Sequence, residues 1–340
     1  MAFDPVQLTR SLIDIESITF NEGRVGAWLE TFLRDQGFLV ERMVVPQPAN
    51  SRYQGERFNL YASANGAKPE IVFSTHMDTV PPFIPSSEDG EYIYGRGSCD
   101  AKGIIAAQIA AAVRLRESGL NAGLLFVVGE ERDSAGAKLA NEKPKGNRYL
   151  INGEPTDNRL ALASKGSLRA TIRATGKMGH SAYPALGESA IHKLVHALER
   201  VLALQLPFVE DVGPGTLNVG IIEGGHAPNV IADAAAAHLL IRLVGPSEEV
   251  RELIERAVSE FATVDFTLDI PFIRMREIGG LETMVAAFTT DIPALSNWGE
   301  PLLLGPGSIH VAHTPHERLA KKELYEAIDL YTDVALRLPR

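Results

Sequence analysis

The chain has 340 residues and carries 33 Lys and Arg against 43 Asp and Glu, which gives a formal net charge of −10. This acidic balance, without a basic run, argues against nucleic-acid binding, and no stretch reaches the about 18 apolar residues of a membrane span. A single cysteine, Cys99, excludes an internal disulfide framework. The N-terminus lacks the basic start and apolar run of a signal peptide, so we expect a soluble, cytoplasmic protein without nucleic-acid or membrane partners.

The first third of the chain alternates helix-like and strand-like segments. Helical periodicity covers residues 5–15, 22–36 and 101–115. Strand-like patterns cover residues 38–45, 58–62, 71–75, 124–128 and 149–151. This alternation is typical of an α/β domain whose mixed, largely parallel sheet carries helices on both faces.

The middle of the chain follows a different order of elements. The patterns predict a strand at 167–174, a helix at 188–204, strands at 216–222 and 234–244, a helix at 247–260 and a strand at 264–270. The β-α-β-β-α-β order is that of a ferredoxin-like α+β unit. We therefore predict an inserted domain at residues 164–273. The first domain would then consist of residues 1–163 and 274–340, and its last element would be a helix at 321–338.

Acidic and histidine side chains directly follow three of the predicted buried strands. They are His76 and Asp78 after residues 71–75, Glu130 and Glu131 after 124–128, and Glu154 after 149–151. Each group alone could be a solvated strand end. Because ligand sites of open α/β sheets gather at the carboxyl ends of strands, the three groups together predict one site. In an extended chain His76 and Asp78 point the same way, so that this carboxylate could hold the second imidazole nitrogen.

Two glycine-containing segments add candidate ligands. Residues 95–103, GRGSCDAKG, precede a helix, but a G-x-G-x-x-G dinucleotide loop would need glycine in place of Asp100. Residues 305–317 carry His310, His313 and His316, and their glycines and prolines favour a loop. Histidine and carboxylate ligands without thiolates suit zinc or a similar divalent ion. Two histidines with three or more carboxylates suit two ions that share a bridging carboxylate.

The sequence resembles the dizinc peptidase and deacylase family that includes acetylornithine deacetylase, succinyl-diaminopimelate desuccinylase, aminoacylase and carboxypeptidase G. The resemblance covers essentially the whole chain and rests on seven ordered segments: STHMDTVPP, YGRGSCDAKG, GEERDSAGA, NGEP, GHSAYP, APNVIAD and GPGSIHVAHTPHE. It implies a catalytic domain with an inserted lid through which two copies dimerise. SCD before AKG, and LGPGSI before the last histidines, are most similar to the acetylornithine deacetylase branch.

The resemblance implies a role for each matched residue. The implied metal ligands are Asp100 between two ions, His76 and Glu154 on one ion, and Glu131 and His313 on the other. The other implied roles are Asp78 behind His76, Glu130 as general base, His180 at the oxyanion from the partner subunit, and Asn229 and Arg242 at the substrate. His313 is preferred to its two neighbouring histidines because the AHTP context matches the family's ligand position. The ions would be Zn²⁺, with Co²⁺ or Mn²⁺ as alternatives.

The expected activity is the removal of an N-acyl group from a small N-acyl amino acid, as in acetylornithine deacetylase. The alternative is a di- or tripeptidase, or a carboxypeptidase-like exopeptidase, of the same family. A non-catalytic relative is disfavoured because all five implied ligands and the base are present. A serine hydrolase is disfavoured because GHSAY lacks the final glycine of G-x-S-x-G.

Overall fold

The computed structural model describes residues 3–64 and 68–339, so the outermost ends of the predicted first domain lie outside the described residues. The α-helices of the described residues are α1 Pro5–Ile13, α2 Gly23–Asp35, α3 Lys102–Glu117, α4 Ala135–Asn141, α5 Ala190–Leu202, α6 Ser247–Val258 and α7 Lys321–Arg337. Two 3-10 turns lie at Pro184–Leu186 and Ile292–Leu295. None of these helices is both long and apolar enough to cross a membrane.

The strands fall into three stretches of the chain. The first contains β1 Phe38–Val45, β2 Arg57–Ala64, β3 Ile71–His76, β4 Ser87–Glu88, β5 Tyr92–Tyr94, β6 Ala122–Val127 and β7 Tyr149–Asn152. The second contains β8 Leu160–Ser164, β9 Gly166–Thr175, β10 Gly179–His180, β11 Phe208–Val209, β12 Gly213–Pro214, β13 Thr216–Gly224, β14 Val230–Ile231, β15 Ala234–Leu243, β16 Thr263–Ile270, β17 Ile273–Arg274 and β18 Thr283–Ala286. The third contains β19 Glu300–Leu303 and β20 Arg318–Ala320.

The larger unit comprises Met1–Leu162, Met275–Met284 and Thr290–Arg340. Its six-stranded sheet has the order β1-β2-β6-β3-β7-β19. The strands β6, β3, β7 and β19 run parallel to one another, and β2 runs antiparallel to both of its neighbours, β1 and β6. Both faces are covered, because Phe73 faces one apolar core while its neighbour Val72 faces another. The predicted α/β class, with a largely parallel sheet between helices, is therefore confirmed.

Alanine explains how the central helix of this unit packs. The sequence of α3, KGIIAAQIAAAVRLRE, is buried on nearly every face and contacts α1, α7, β3 and β6. Small side chains let these elements approach closely without leaving voids. The parallel register pairs Ile71 with both Ala122 and Tyr149, so β3, β6 and β7 end at the same edge of the sheet. The segments that follow these three strands therefore start side by side.

The smaller unit comprises Ala163–Arg274 and Val285–Thr289. Its antiparallel sheet has the order β13-β15-β9-β16, and α5 and α6 share an apolar core with it. The elements run β-α-β-β-α-β, as in the predicted ferredoxin-like order. The predicted limits 164–273 omit residues 285–289, which belong to this unit. Hydrogen bonds to residues distant in the sequence attach this segment. The Lys165 N–H donates to the Ala286 carbonyl at 2.9 Å, and the Ser164 hydroxyl donates to the Phe288 carbonyl at 2.7 Å.

Candidate metal centre

His76 is the last residue of β3, and its side chain is buried. Its Nδ1 lies 2.9 Å from the main-chain oxygen of Asp78, and its Nε2 lies 2.9 Å from Asp100 Oδ1. A carbonyl oxygen can only accept, so Nδ1 carries the proton and Nε2 faces Asp100. The predicted support from Asp78 thus comes mainly through its backbone, because its carboxylate Oδ1 is 3.6 Å from Nδ1.

The carboxylate of Asp78 is used instead to hold the turn after β6. Oδ1 accepts the N–H groups of Gly129 and Glu130 at 2.9 and 3.1 Å. Oδ2 accepts the N–H of Glu131 at 3.2 Å and the hydroxyl of Thr19 at 2.8 Å. Burial acts to raise the pKa of Asp78, but these bonds and the proximity of His76 lower it below its usual value. A charged Asp78 therefore orients the turn that carries two glutamates.

Glycine is required at the first position of that turn. Gly129 has φ +84°, which disfavours other residues. A Cβ there would also lie 2.4 Å from Arg57 Nη2, in a region where the Arg57 side chain is fully buried. The sharp turn lets the next two residues project at the sheet edge.

Asp100 lies between the two histidines. Its Oδ1 is 2.9 Å from His76 Nε2, and its Oδ2 is 3.2 Å from His313 Nε2. The same His313 nitrogen is 3.1 Å from Glu131 Oε1. One carboxylate thus contacts two imidazoles through different oxygens, which is the arrangement a bridging ligand needs.

Two sets of possible ligand atoms share this aspartate. The buried group consists of His76, Asp100 and Glu154, and the open group consists of Asp100, Glu131 and His313. Within each group, one ligand atom per residue lies within 4.8 Å of the others. Three protein ligands per ion leave a position for water or substrate, as in catalytic sites.

The chemistry of the residues fits two divalent ions. Glu154 Oε1 is buried and has no hydrogen-bond partner among the described residues, and burial raises the pKa of Glu154 well above its usual value. Hydrogen bonds to Asp100 and Glu131 raise the pKa of His313 to about 10. Carboxylates crowded in a buried site need positive charge, which protonated imidazoles or divalent cations can supply.

The backbone of His313 has a left-handed conformation. Its φ is +63°, a left-handed conformation that a residue with a Cβ adopts at a cost of about 1–2 kcal/mol. The surrounding loop therefore holds His313 where its ring meets Asp100 and Glu131. His310 and His316 are exposed in the same loop and belong to neither group. The predicted loop, rather than a helix, is what the chain forms here.

Glu130 occupies the same turn as Glu131 and is half-buried. Burial, followed by the charge of Glu154, raises the pKa of Glu130 well above its usual value. A carboxyl group with a raised pKa can take up and release a proton near neutral pH. Glu130 is thus chemically suited to act as a base at this edge of the sheet.

Three residues that were predicted to contact the substrate or the oxyanion lie in the smaller unit. His180 on β10 pairs with Val230 on β14, and the adjacent Ser181 N–H donates to the Asn229 carbonyl at 3.0 Å. His180 and Asn229 therefore lie close together, and both are exposed. Arg242 is half-buried on β15, and burial and the nearby charge of Arg169 lower its pKa. Among the described residues, Arg242 forms no salt bridge.

Two further buried carboxylates near the ligand groups were not predicted to have a role. Glu317 contacts the segment that carries Asp100. Asp291 is buried with both oxygens unpartnered among the described residues, and burial raises its pKa to about 6. Glu317 ends the segment GPGSIHVAHTPHE, four residues after His313, which is a signal that could have identified it. Asp291 has no comparable signal because only folding brings it near the site.

Comparison with known proteins identifies the family. A family model described as the M20 peptidase dimerisation domain matches residues 162–266. A probable carboxypeptidase of Paracoccidioides brasiliensis (strain Pb18) is 38% identical over 369 aligned residues, covering 96% of this chain and 84% of the relative. A peptidase M20 domain-containing protein of Schizosaccharomyces pombe is also 38% identical, covering 96% of this chain and 82% of the relative.

Solved structures show the same fold. A tripeptidase from Staphylococcus aureus superposes with a TM-score of 0.80 at 21% identity, covering 98% of each chain. The curated relatives are peptidases, so the chain is a hydrolase that acts on amide bonds, and its cluster of carboxylates and imidazoles fits a metal-dependent one. By its similarity to the curated relatives, the chain belongs to the M20 peptidase family.

Proposed function

We propose that this chain is a carboxypeptidase-type exopeptidase that removes the C-terminal residue of short peptides. The observation that carries the chemistry is the sharing of Asp100 by two ligand groups beside Glu130. The choice of substrate is supported by the relative from Paracoccidioides brasiliensis, which is named a probable carboxypeptidase. This favours the alternative over the N-acyl amino acid deacylase expected from the SCD and LGPGSI segments.

In this proposal the two groups hold two divalent ions, with Zn²⁺ as first candidate and Co²⁺ or Mn²⁺ as alternatives. His76 and Glu154 would hold one ion, Glu131 and His313 would hold the other, and Asp100 would contribute a ligand atom to each. When bound, such ions lower the pKa of water and polarise a carbonyl oxygen. The Asp78 main-chain oxygen supports this by keeping the His76 proton on Nδ1, which leaves Nε2 as the ligand atom.

Glu130 is the proposed proton carrier. It would take a proton from the attacking water and give it to the nitrogen of the departing amino acid. The Gly129 and Glu130 N–H groups donate to the Asp78 carboxylate, and these hydrogen bonds hold the Glu130 backbone in place for both transfers. Its half-buried position limits competition from bulk water.

Residues of the smaller unit are proposed to bind the substrate. A carboxypeptidase must recognise a free C-terminal carboxylate, and a guanidinium does this with two parallel hydrogen bonds. Arg242, which lacks an acidic partner among the described residues, is our candidate for that contact. His180 is proposed to stabilise the oxyanion and Asn229 to contact the substrate, as their place in the family's motifs implies.

We also propose a homodimer through the smaller unit. Its edge strand β13 leaves Ile221 and Ile222 more than half exposed, and α5 exposes Val195 and Leu202 to a similar degree. An uncovered edge strand with apolar side chains is a template for pairing with another strand. A second copy of the same strand would cover it, and sedimentation of the purified chain tests this.

Blocked peptides distinguish the candidate activities. The zinc-loaded protein is assayed on an N-acetylated tripeptide, the same tripeptide amidated at its C-terminus but free at its N-terminus, and N-acetyl and N-succinyl amino acids, each with a chelated control. Release of the C-terminal amino acid from the N-acetylated tripeptide alone supports the proposal. Cleavage of only the amidated peptide would indicate an aminopeptidase, and turnover of only the acyl amino acids would restore the deacylase.

The role of Glu130 is tested on the same substrate. Glu130→Gln should retain both ions and lose about 10²–10⁴-fold in kcat, the range for a general acid–base group. Asp133→Asn, an exposed change on the same turn, is the matched control and should keep near-normal turnover. A Glu130→Gln enzyme with nearly unchanged kcat would contradict this role.

A further inference from the structure

A single buried carboxylate joins the segment carrying Asp100 to the segment carrying His313. Glu317 Oε1 accepts the N–H groups of Gly97, Cys99 and Asp100 at 2.9, 3.3 and 3.3 Å. Oε2 accepts a bond from Arg96 Nη1 at 2.5 Å. The main-chain oxygen of Glu317 accepts the Gly95 N–H at 3.2 Å. Among the described residues, the hydrogen bonds that Glu317 accepts all come from residues 95–100.

These bonds replace the regular structure that residues 95–100 lack. Gly95 and Gly97 have φ values of +132° and +88°, so the backbone here is neither helix nor strand. Its exposed fraction is nevertheless near zero, and a buried N–H without a partner would cost about 1–3 kcal/mol. One carboxylate takes three of these donors, so it restrains the backbone that carries Asp100.

The charge of Glu317 is itself balanced inside the protein. The side chains of Arg96 and Glu317 are 2% and 1% exposed, and their ion pair is fully buried. Removing one partner of such a pair leaves an uncompensated charge. Glu317 lies four residues after His313, so the same carboxylate that holds Asp100 also ends the loop that carries the other ligand.

We propose that Glu317 is a positioning residue that fixes the bridging Asp100 relative to His313 and thereby sets the affinity for two ions together. This inference rests on the proposed function, because it assumes that the two ligand groups hold metal. Among the described residues, the Glu317 carboxylate accepts hydrogen bonds from backbone N–H groups, Arg96 and the Cys99 thiol, and Glu317 belongs to neither ligand group. It parallels Asp78, which accepts three N–H groups of the turn bearing Glu130 and Glu131.

The test compares metal binding by the wild type, Glu317→Ala, Glu317→Gln and Asn147→Ala. Glutamine keeps an acceptor oxygen for the N–H groups and loses the charge that pairs with Arg96. Asn147 is the control because it is also buried and donates to the Tyr149 and Trp298 carbonyls at 3.0 and 2.6 Å. It precedes β7, at the edge of the sheet opposite the ligand groups. Ions per chain, Co²⁺ absorption and thermal unfolding of the metal-free protein are measured for all four.

We expect Glu317→Ala to lose about 10–100-fold in affinity for the second ion and to change the Co²⁺ spectrum, as changes behind metal ligands do. Glu317→Gln should fall between the wild type and Glu317→Ala. Asn147→Ala should lower only the unfolding temperature. If Glu317→Ala is insoluble, Glu317→Gln carries the comparison with the wild type.

The outcomes separate this inference from the proposed function. Wild-type affinity and spectrum in the Glu317 variants, with two ions in the wild type, would overturn the positioning role alone. A wild type that binds no pair of ions would overturn the proposed function. An equal loss of affinity in Asn147→Ala would also overturn the inference, because general destabilisation would then explain the effect. A loss confined to the Glu317 variants supports it.

Discussion

The two ligand groups share Asp100 but are built from different kinds of structure. The buried group uses residues at the ends of parallel strands, and His76 and Glu154 are only 1% and 4% exposed. The open group depends on a turn and a loop, and the His313 side chain is 48% exposed. The unshared ligands of the buried group are therefore placed by the sheet, whereas Glu131 of the open group depends on a turn whose N–H groups donate to Asp78. The shared Asp100 lies in an irregular segment whose N–H groups donate to Glu317. In the proposed two-metal site, Asp100 would therefore join a group placed by strands to a group placed by a turn and a loop.

Removal of the shared ligand should have the largest effect. Asp100→Ala deletes the carboxylate that contacts both histidines, so both groups should lose their ions at micromolar metal. We expect peptidase turnover to fall by about 10³-fold or more, since several kcal/mol of charge stabilisation disappear. Elemental analysis together with the tripeptide assay measures this. Retention of one tightly bound ion would show that the groups are more independent than their shared residue indicates.

Removal of an unshared ligand should separate the groups. His313→Ala should lower the ion content from two to one per chain, and the ion left should be the one in the buried group. Glu154→Ala should weaken metal binding at the buried group, because only His76 and Asp100 would remain there as ligands. Co²⁺ titrations followed by absorption compare the two variants. A Glu154→Ala protein that keeps its tightest ion would contradict the assignment of the tighter ion to the buried group.

Acid should weaken metal binding at the open group. Hydrogen bonds to Asp100 and Glu131 raise the pKa of His313 to about 10, so at pH 7 an ion must displace that proton. In the metal-free protein the protonated His313 contributes stability that is present below its unfolded pKa and is lost as pH rises towards about 10. Affinity should thus fall by up to about tenfold per pH unit on acidification from pH 9 to pH 7. Calorimetry in buffers of different ionisation enthalpy measures the released proton, and binding without proton release would contradict this.

Loss of the hydrogen bond from the Thr19 hydroxyl to Asp78 should have the smallest effect. Thr19→Val removes one of the four donors to Asp78 and leaves the three backbone donors in place. We expect a decrease of about 1 kcal/mol in the free energy of unfolding, with little change in ion content. Chemical denaturation of the metal-free protein gives this value. A selective loss of the open group's ion would mean that the turn depends on Thr19 more than its remaining bonds suggest.

Much of the ligand cluster could be predicted from the sequence because its signals are local. An apolar run followed by His76, Glu130 or Glu154 marks a buried strand and its carboxyl end within a few residues. The parallel register then brings these ends together, as the general rule for such sheets predicts. Residue types alone also indicated a site for divalent ions. The roles of the individual residues stay predictions until metal and activity are measured.

Other features were missed because they depend on distant partners. The short edge strand β19 contains Pro301 and has no clear alternation, and it forms only by pairing with β7. Residues 285–289 join the smaller unit through bonds to Ser164 and Lys165, more than 100 positions earlier. The Asp78 carboxylate lies 3.6 Å from His76 Nδ1, and its role behind His76 stays a prediction. Nothing in the sequence indicated that this carboxylate also accepts three N–H groups about 50 residues away. Relatives along the whole chain also favoured a peptidase over the predicted deacylase.

Local sequence patterns were enough to predict the order of the elements, because burial patterns and turn residues act over short distances. They therefore specified an α/β unit with acidic and histidine residues after its strands. The fold, in contrast, places Asp100 between two imidazoles and brings the Glu317 carboxylate to the N–H groups of Gly97, Cys99 and Asp100. These contacts join residues up to 220 positions apart, and they form only when folding removes the competing water.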